Sequence, residues 1–391
     1  MEPAQTPSAG NQFALWQLGF RPFYLLASIY AAASILLWAA QFAGWLPLSY
    51  LPGPVWHAHE MLFGFVLPVI VGFLLTAGQT WTGHKTLSGY PLMLLALVWV
   101  CARILTLTPY GWAAAAANAA FPWAAAIALA IPFVRKGVRR NYFFVGLLVL
   151  LGAASFGMHA TRVGMLNVPA RLAVQFSMDI VLFIMVVMAG RVVPLFTSKG
   201  VPGTQPQRLA WLEYAAPGAI LVVLLADTLA LQGQVLAVLL LIAALLQAKR
   251  LSLWQPWKTL QTPLVWVLHL AYGWIVLHLL LRGLAELDWI TSSTATHALT
   301  VGAIGTLIMG MMTRTARGHT GRALKADRFD ISCYVLIQIA AVVRVFLPLW
   351  VPHLLMPSVI VSAFLWSSAF GLYAIRYWPV LTRVRIDGRP G

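Results

Sequence analysis

Trp56-His-Ala-His-Glu-Met-Leu-Phe-Gly-Phe-Val-Leu-Pro-Val-Ile-Val-Gly-Phe-Leu-Leu-Thr-Ala77 opens with two imidazoles and a carboxylate, then runs to its end without a further charge. About 20 apolar residues in a row are what a helix needs to cross the hydrocarbon core of a bilayer. Comparable runs recur from Gly19 almost to the C-terminus. The 391 residues are 61% hydrophobic and only 9% charged, against about 25% charged in a soluble domain. The chain therefore reads as an all-α, polytopic membrane protein. An ionisable group at the mouth of a membrane helix is costly, which marks the opening of this stretch as a candidate functional site.

Working outward, spans fall at roughly 22–44, 55–80, 90–107, 112–133, 142–160, 171–194, 209–229, 233–247, 262–282, 293–313, 330–349 and 354–376. The eighth is short, and without it the orientation of everything downstream inverts. The net charge of +16 is explained by where the basic residues lie. With the N-terminus in the cytoplasm, all but Arg103, Arg162, Arg171, Arg282 and Arg344 of the 26 lysines and arginines fall on the inner side, as the positive-inside rule requires. This supports a bundle of about twelve transmembrane helices with both termini cytoplasmic. It is a single integral-membrane domain over 1–391, with short tails at 1–20 and 377–391. The polar N-terminus shows no signal peptide. No run alternates basic and aromatic residues, so no nucleic-acid partner is expected. Cys101 and Cys333 suggest neither a disulfide nor a CxxC metal site. No internal repeat is visible by eye. Trp45, Trp56, Trp81, Trp112, Trp254, Trp257, Trp289, Trp350 and Trp378 lie near span ends, where an aromatic belt places them.

Topology orders the nine histidines. His57 and His59 open the second span at its outer end, His159 closes the fifth there, and His297 lies near the outer start of the tenth. His278 is in the outer half of the ninth span, His269 in its inner half, and His353 precedes the twelfth. His84 and His319 belong to inner loops. At 1.5 Å rise per residue, His59 and His297 sit about 10 Å outward of the midplane. Imidazole suits copper, iron and zinc, and bundles build cofactor sites from facing helices. A haem takes one or two axial imidazoles in an apolar pocket; a copper site takes about three. Residues i and i+2 point to opposite sides of a helix, so His57 and His59 are not expected to share one ion. Glu60, one turn from His57, would orient an imidazole, ligate, or carry a proton. For His84 and His353 an ordinary interfacial hydrogen bond is the simpler reading.

Asp179 lies about eight residues into the sixth span, where a carboxylate is expensive. It either relays protons or bonds a neighbouring helix. Arg162 and Arg171 flank the outer site, where they would hold haem propionates or bind anions. Arg191 precedes Pro194, which is expected to end or kink that span. Thr313-Arg-Thr-Ala-Arg-Gly-His-Thr-Gly-Arg322 is either a phosphate or propionate site or a topology determinant turning at Gly318 and Gly321.

Six segments together resemble the NnrS family, found beside denitrification and nitric oxide response genes. They are Gly19-Phe-Arg-Pro-Phe-Tyr-Leu-Leu-Ala27, Trp56 to Phe65, Gly72 to Ala77, Gly190-Arg-Val-Val-Pro-Leu-Phe-Thr197, Trp266-Val-Leu-His-Leu-Ala-Tyr-Gly-Trp274, and the run from His297 to Thr306 that continues through Met312-Thr-Arg314 to Gly318-His-Thr-Gly-Arg322. The resemblance implies a twelve-span protein of the bacterial inner membrane that carries haem b and copper and acts in nitric oxide metabolism or tolerance. His57, His59, Glu60, His269, His297 and His319 are the polar positions carried by the motifs, with Arg191 and Arg314. His159 is added to the ligands by depth and helix order. The segment ending Ala77-Gly-Gln-Thr-Trp81 lacks the Pro-Asn pair expected before the tryptophan, and His278 has no counterpart.

Three functions compete. One is a nitric oxide reductase, with Glu60 and Asp179 passing protons. The chain has no Cys-x-x-Cys-His haem-attachment motif, so its electrons would come from a quinol or a redox protein. Another is non-enzymatic sensing or sequestration of nitric oxide. The last is proton-coupled transport of a metal, haem or anion along His57, His59, Glu60 and Asp179.

Overall fold

The computed structural model describes residues 13–46, 50–51 and 53–388; the outermost parts of both expected tails lie outside these. Twelve helical segments follow one another: α1 (Phe20–Phe42), α2 (Gly53–Thr82), α3 (Tyr90–Leu105), α4 (Gly111–Lys136), α5 (Tyr142–Arg162), α6 (Ala170–Gly200), α7 (Ala210–Thr228), α8 (Gln234–Leu253), α9 (Pro263–Ala285), α10 (Ser292–His319), α11 (Arg328–Trp350) and α12 (Leu355–Thr382). Eleven of the described helices are long and apolar enough to cross a membrane. The exception is α3, with 16 residues, about 24 Å at 1.5 Å per residue against about 30 Å of hydrocarbon. The short eighth span is in fact a full helix of 20 residues. The chain is a multi-pass membrane protein.

Two local rules shape the ends. Gly83 and Gly137 stop α2 and α4 in the left-handed conformation, φ 66° and 63°, where only glycine pays no steric cost. Asp327 starts α11 with a reciprocal capping box: its Oδ1 accepts from the Asp330 N–H and its own N–H donates to Asp330 Oδ2. Of the two outcomes expected at Pro194, an end to α6 does not occur. The helix continues to Gly200, with Thr197 Oγ1 donating to the Val193 carbonyl at 2.8 Å.

α2 and α10 depart from α geometry in the same way. Each begins as an α-helix, widens into a π segment at Glu60–Val66 and Ala298–Gly305, and resumes α. Glycines accept large rings in these turns: a Cβ on Gly64 would lie 2.4 Å from the Tyr30 ring, and one on Gly302 2.4 Å from Trp274. The likeness extends to sequence. His59, Gly64, Gly72, Thr82 and Gly83 recur at identical spacing as His297, Gly302, Gly310, Thr320 and Gly321. The last glycine of each set is left-handed. The two helices therefore share a local pattern, carried by small residues and one histidine.

One continuous apolar core links nearly all the helices. Consecutive helices pack on each other, and α12 packs on α1, so the bundle closes. Ala14 donates to the Thr382 carbonyl at 2.7 Å beside an isolated bridge between Phe13 and Arg383. Six of the tryptophans read as belt residues are exposed, but Trp56 and Trp254 are buried core groups.

Candidate cofactor sites

His57 and His59 lie on opposite sides of α2. His57 faces an apolar cavity of about 370 Å³ between α1, α2, α6, α10, α11 and α12, and His297 of α10 lines the same cavity. This volume lies within the usual range for small-molecule and cofactor sites, about 300–1,000 Å³. His57 stacks on Trp38 with ring centroids 4.7 Å apart, and its Nδ1 has no partner. The Nδ1 of His297 donates to the Ser293 carbonyl at 2.7 Å, which fixes the tautomer and leaves Nε2 bare toward the cavity. A ring nitrogen oriented in this way by a backbone carbonyl is the usual support of a metal-ligating histidine. Arg344 lines the cavity and donates to Ser293 Oγ at 3.4 Å. Met61, Met178, Phe65 and Trp366 supply apolar wall.

His59 belongs to a separate, largely buried network. Glu60 Oε1 accepts from His59 Nδ1 at 2.7 Å, and Arg103 Nη1 donates to Glu60 Oε2 at 2.6 Å. Tyr30 also donates to Glu60, and Arg103 to Asn118. Because the carboxylate only accepts, His59 carries its proton on Nδ1 and turns a lone pair outward at Nε2. That nitrogen is 3.0 Å from Nε2 of His159, whose Nδ1 is 2.8 Å from the Tyr50 hydroxyl. The Tyr50 hydroxyl also lies 3.3 Å from the Gly111 carbonyl, which takes its proton when His159 Nδ1 is itself protonated. Burial pushes the Tyr50 phenol above its usual range, opposed by Arg162, so it stays a neutral hydrogen-bonding group. Without an ion, His159 Nε2–H donates to His59. The same 3.0 Å also fits two nitrogens each about 2.0 Å from one ion, with Glu60 and Tyr50 holding the outer ring nitrogens.

The family model described as NnrS protein matches residues 14–385, nearly the whole chain. The chain belongs to the NnrS family. None of the curated proteins compared with it matches. Membership supports a role in nitric oxide metabolism.

In this NnrS-family chain His57, His59, His159 and His297 thus divide into two pairs. Among the described residues no group of three or more His, Cys, Asp or Glu side chains is placed to hold a metal, so a copper site of about three imidazoles is not assembled. Glu60 orients its neighbour His59 rather than His57. Asp179 lies apart from both pairs: its Oδ1 accepts from Gln175 at 2.8 Å and Arg282 at 3.4 Å, and Arg282 also binds Asp227 at 2.5 Å. His278 is buried and tied to the Ala295 carbonyl. On the inner side His269 bonds Thr197 at 2.8 Å, Arg314 lies 3.8 Å from the Phe196 ring centre, and Arg191 donates to Asn141 at 2.9 Å. His319 packs beside Phe20. None of these four lines the outer cavity. Arg171 is exposed and Arg162 caps the Tyr50 carbonyl.

Sequence reading missed Arg103, Asn118, Tyr30, Tyr50 and Arg344. The positive-inside count treats outer arginines as exceptions, yet Arg103 and Arg282 each serve a buried polar site and Arg344 lines the apolar cavity. Asn118, a lone amide within Trp112-Ala-Ala-Ala-Ala-Ala-Asn118-Ala-Ala, was the available signal.

Proposed function

We propose that this chain holds a b-type haem in the cavity between His57 and His297 and a copper ion between His59 and His159. In this reading it binds nitric oxide in the inner membrane of a bacterium. The observation that carries this is the pairing of two half-buried imidazoles on the wall of one apolar cavity, each with an unbonded ring nitrogen. Arg344 at the rim would pair with a propionate. Bound haem and copper would supply nitric oxide ligation and electron transfer.

The protein's own part is positional. Apolar walls exclude water from the cavity. Ser293 and Glu60 fix the tautomers of His297 and His59, and Tyr50 holds His159. Reduction of two nitric oxide molecules to nitrous oxide and water consumes two electrons and two protons. The electrons would come from a quinol or a redox protein. Glu60 is locked between Arg103, His59 and Tyr30, which takes it out of proton delivery and leaves Asp179 as the candidate carrier. The same lock favours a second reading, nitric oxide binding without turnover. A transport path through His57 and His59 has less support, because the two face different compartments of the bundle.

Metal analysis and optical spectra of purified variants test the assignment. His57→Ala and His297→Ala should lose the haem spectrum and keep copper, while His59→Ala and His159→Ala should do the reverse. Full retention of both groups in all four would overturn it. Nitric oxide consumption with an artificial electron donor separates turnover from binding.

A further inference from the structure

At the opposite end of the bundle, the first residues of α1 carry charge that the proposed function does not use. Arg21 is completely buried. Its Nη1 donates to the carbonyls of Leu381 and Arg383 at 3.0 and 2.8 Å, while Nε and Nη2 have no partner. The positive charges of Arg322 and Arg385 act on it, and those of Arg21 and Arg385 act on His319. Arg322 has its own buried and unpartnered Nη1. Burial, then the charges of Arg317, Arg376 and Arg383, holds Arg322 below the usual arginine range.

The nearby acids are engaged elsewhere. Asp330 and Asp327 bind Arg317, and Asp327 also binds Arg376. Asp387 binds Arg385 at 2.6 Å. Among the described residues no carboxylate forms an ion pair with Arg21 or Arg322. The C-terminal segment fixes the surroundings: Arg385 Nη1 donates to the His319 carbonyl at 3.0 Å, and the Ile386 N–H to the Thr320 carbonyl at 3.2 Å. A buried guanidinium with two unused donor nitrogens and cations around it demands a counter-ion, since an uncompensated buried charge is strongly destabilising.

We propose that Arg21, His319 and Arg322 form an oxyanion site that binds a phosphate group. A planar guanidinium fork matches phosphate oxygens in pairs. The position, at the end that charge bias places in the cytoplasm, offers two sources of one chemistry: the headgroup of an anionic inner-leaflet lipid, or free phosphate.

The test uses full-length protein, with Arg322→Gln and Arg21→Lys as variants. In a non-ionic detergent, thermal unfolding is followed against sodium phosphate, with sodium chloride at matched ionic strength as control. In parallel, native mass spectrometry measures phosphatidylglycerol retained from mixed phosphatidylglycerol–phosphatidylcholine nanodiscs. Saturable stabilisation by phosphate, weakened at least about tenfold in Arg322→Gln, supports the site and names free phosphate. Selective retention of phosphatidylglycerol, lost in Arg322→Gln, supports it and names the headgroup. Should Arg21→Lys not fold, Arg322→Gln, which lies outside the spans, still decides. The proposal is overturned if phosphate acts no differently from chloride and phosphatidylglycerol is not preferred, or if Arg322→Gln binds either as well as the parent.

Discussion

Arg103 shows how one side chain governs a site it does not line. Its guanidinium is the counter-charge that lets Glu60 remain a carboxylate with no exposure to solvent, and that carboxylate sets the tautomer of His59. Arg103→Met should destabilise the protein by about 3–5 kcal/mol, because it leaves a buried charge unpaired. Arg103→Met combined with Glu60→Gln should recover a large part of the loss, as measured by thermal unfolding. If the single variant is as stable as the parent, the ion pair does not hold the site. At this scale the histidines were legible in sequence, because an imidazole in an apolar run has few alternatives. The partition of His57 from His59 was also legible, since it follows from helix geometry. Arg103 and Tyr30 were not: they come from two helices, and only packing shows that they converge on Glu60, with Asn118 of a third behind Arg103.

The π segments are the elements that make this convergence possible. Widening of α2 from Glu60 to Val66 comes where Gly64 admits the Tyr30 ring against Glu60. π segments inside α-helices frequently mark functional sites. Gly64→Ala should cost about 1–3 kcal/mol through overpacking and disturb the environment of His59; unchanged stability together with unchanged metal content would show that the ring moves aside freely. At the start of α11, Asp327→Ala should cost about 1 kcal/mol by removing the N-cap. Burial alone would raise the Asp327 carboxyl, but the Asp330 N–H, Arg376 and Arg317 outweigh it and hold it below the usual carboxylate range. Its contribution is therefore fully present above the unfolded value of about 3.9 and is lost as the pH falls through the depressed folded value. Acid unfolding of parent and Asp327→Ala should accordingly converge at low pH. Helix positions were readable because each apolar run declares its own length. The π segments were not, because a local change of hydrogen-bond register leaves hydropathy unaltered.

For the whole molecule, the charge bias makes a statement about sidedness. Cysteine at Trp289, between α9 and α10, should react with a membrane-impermeant maleimide added to intact cells. Cysteine at Lys325, between α10 and α11, should react only after the membrane is opened. Equal labelling of both would contradict a fixed orientation. The contact between α1 and α12 bears on how such a bundle is made. Arg21 of α1 leaves the ribosome before α12 does, for the Leu381 carbonyl that receives its Nη1 is synthesised 360 residues later. Until then α1 has no permanent neighbour on that side, and its buried cation has no permanent acceptor. The outer cavity, walled by both α1 and α12, is likewise unsealed during synthesis. The haem proposed for this cavity would therefore have a window in which to enter from the side before α12 arrives to close it.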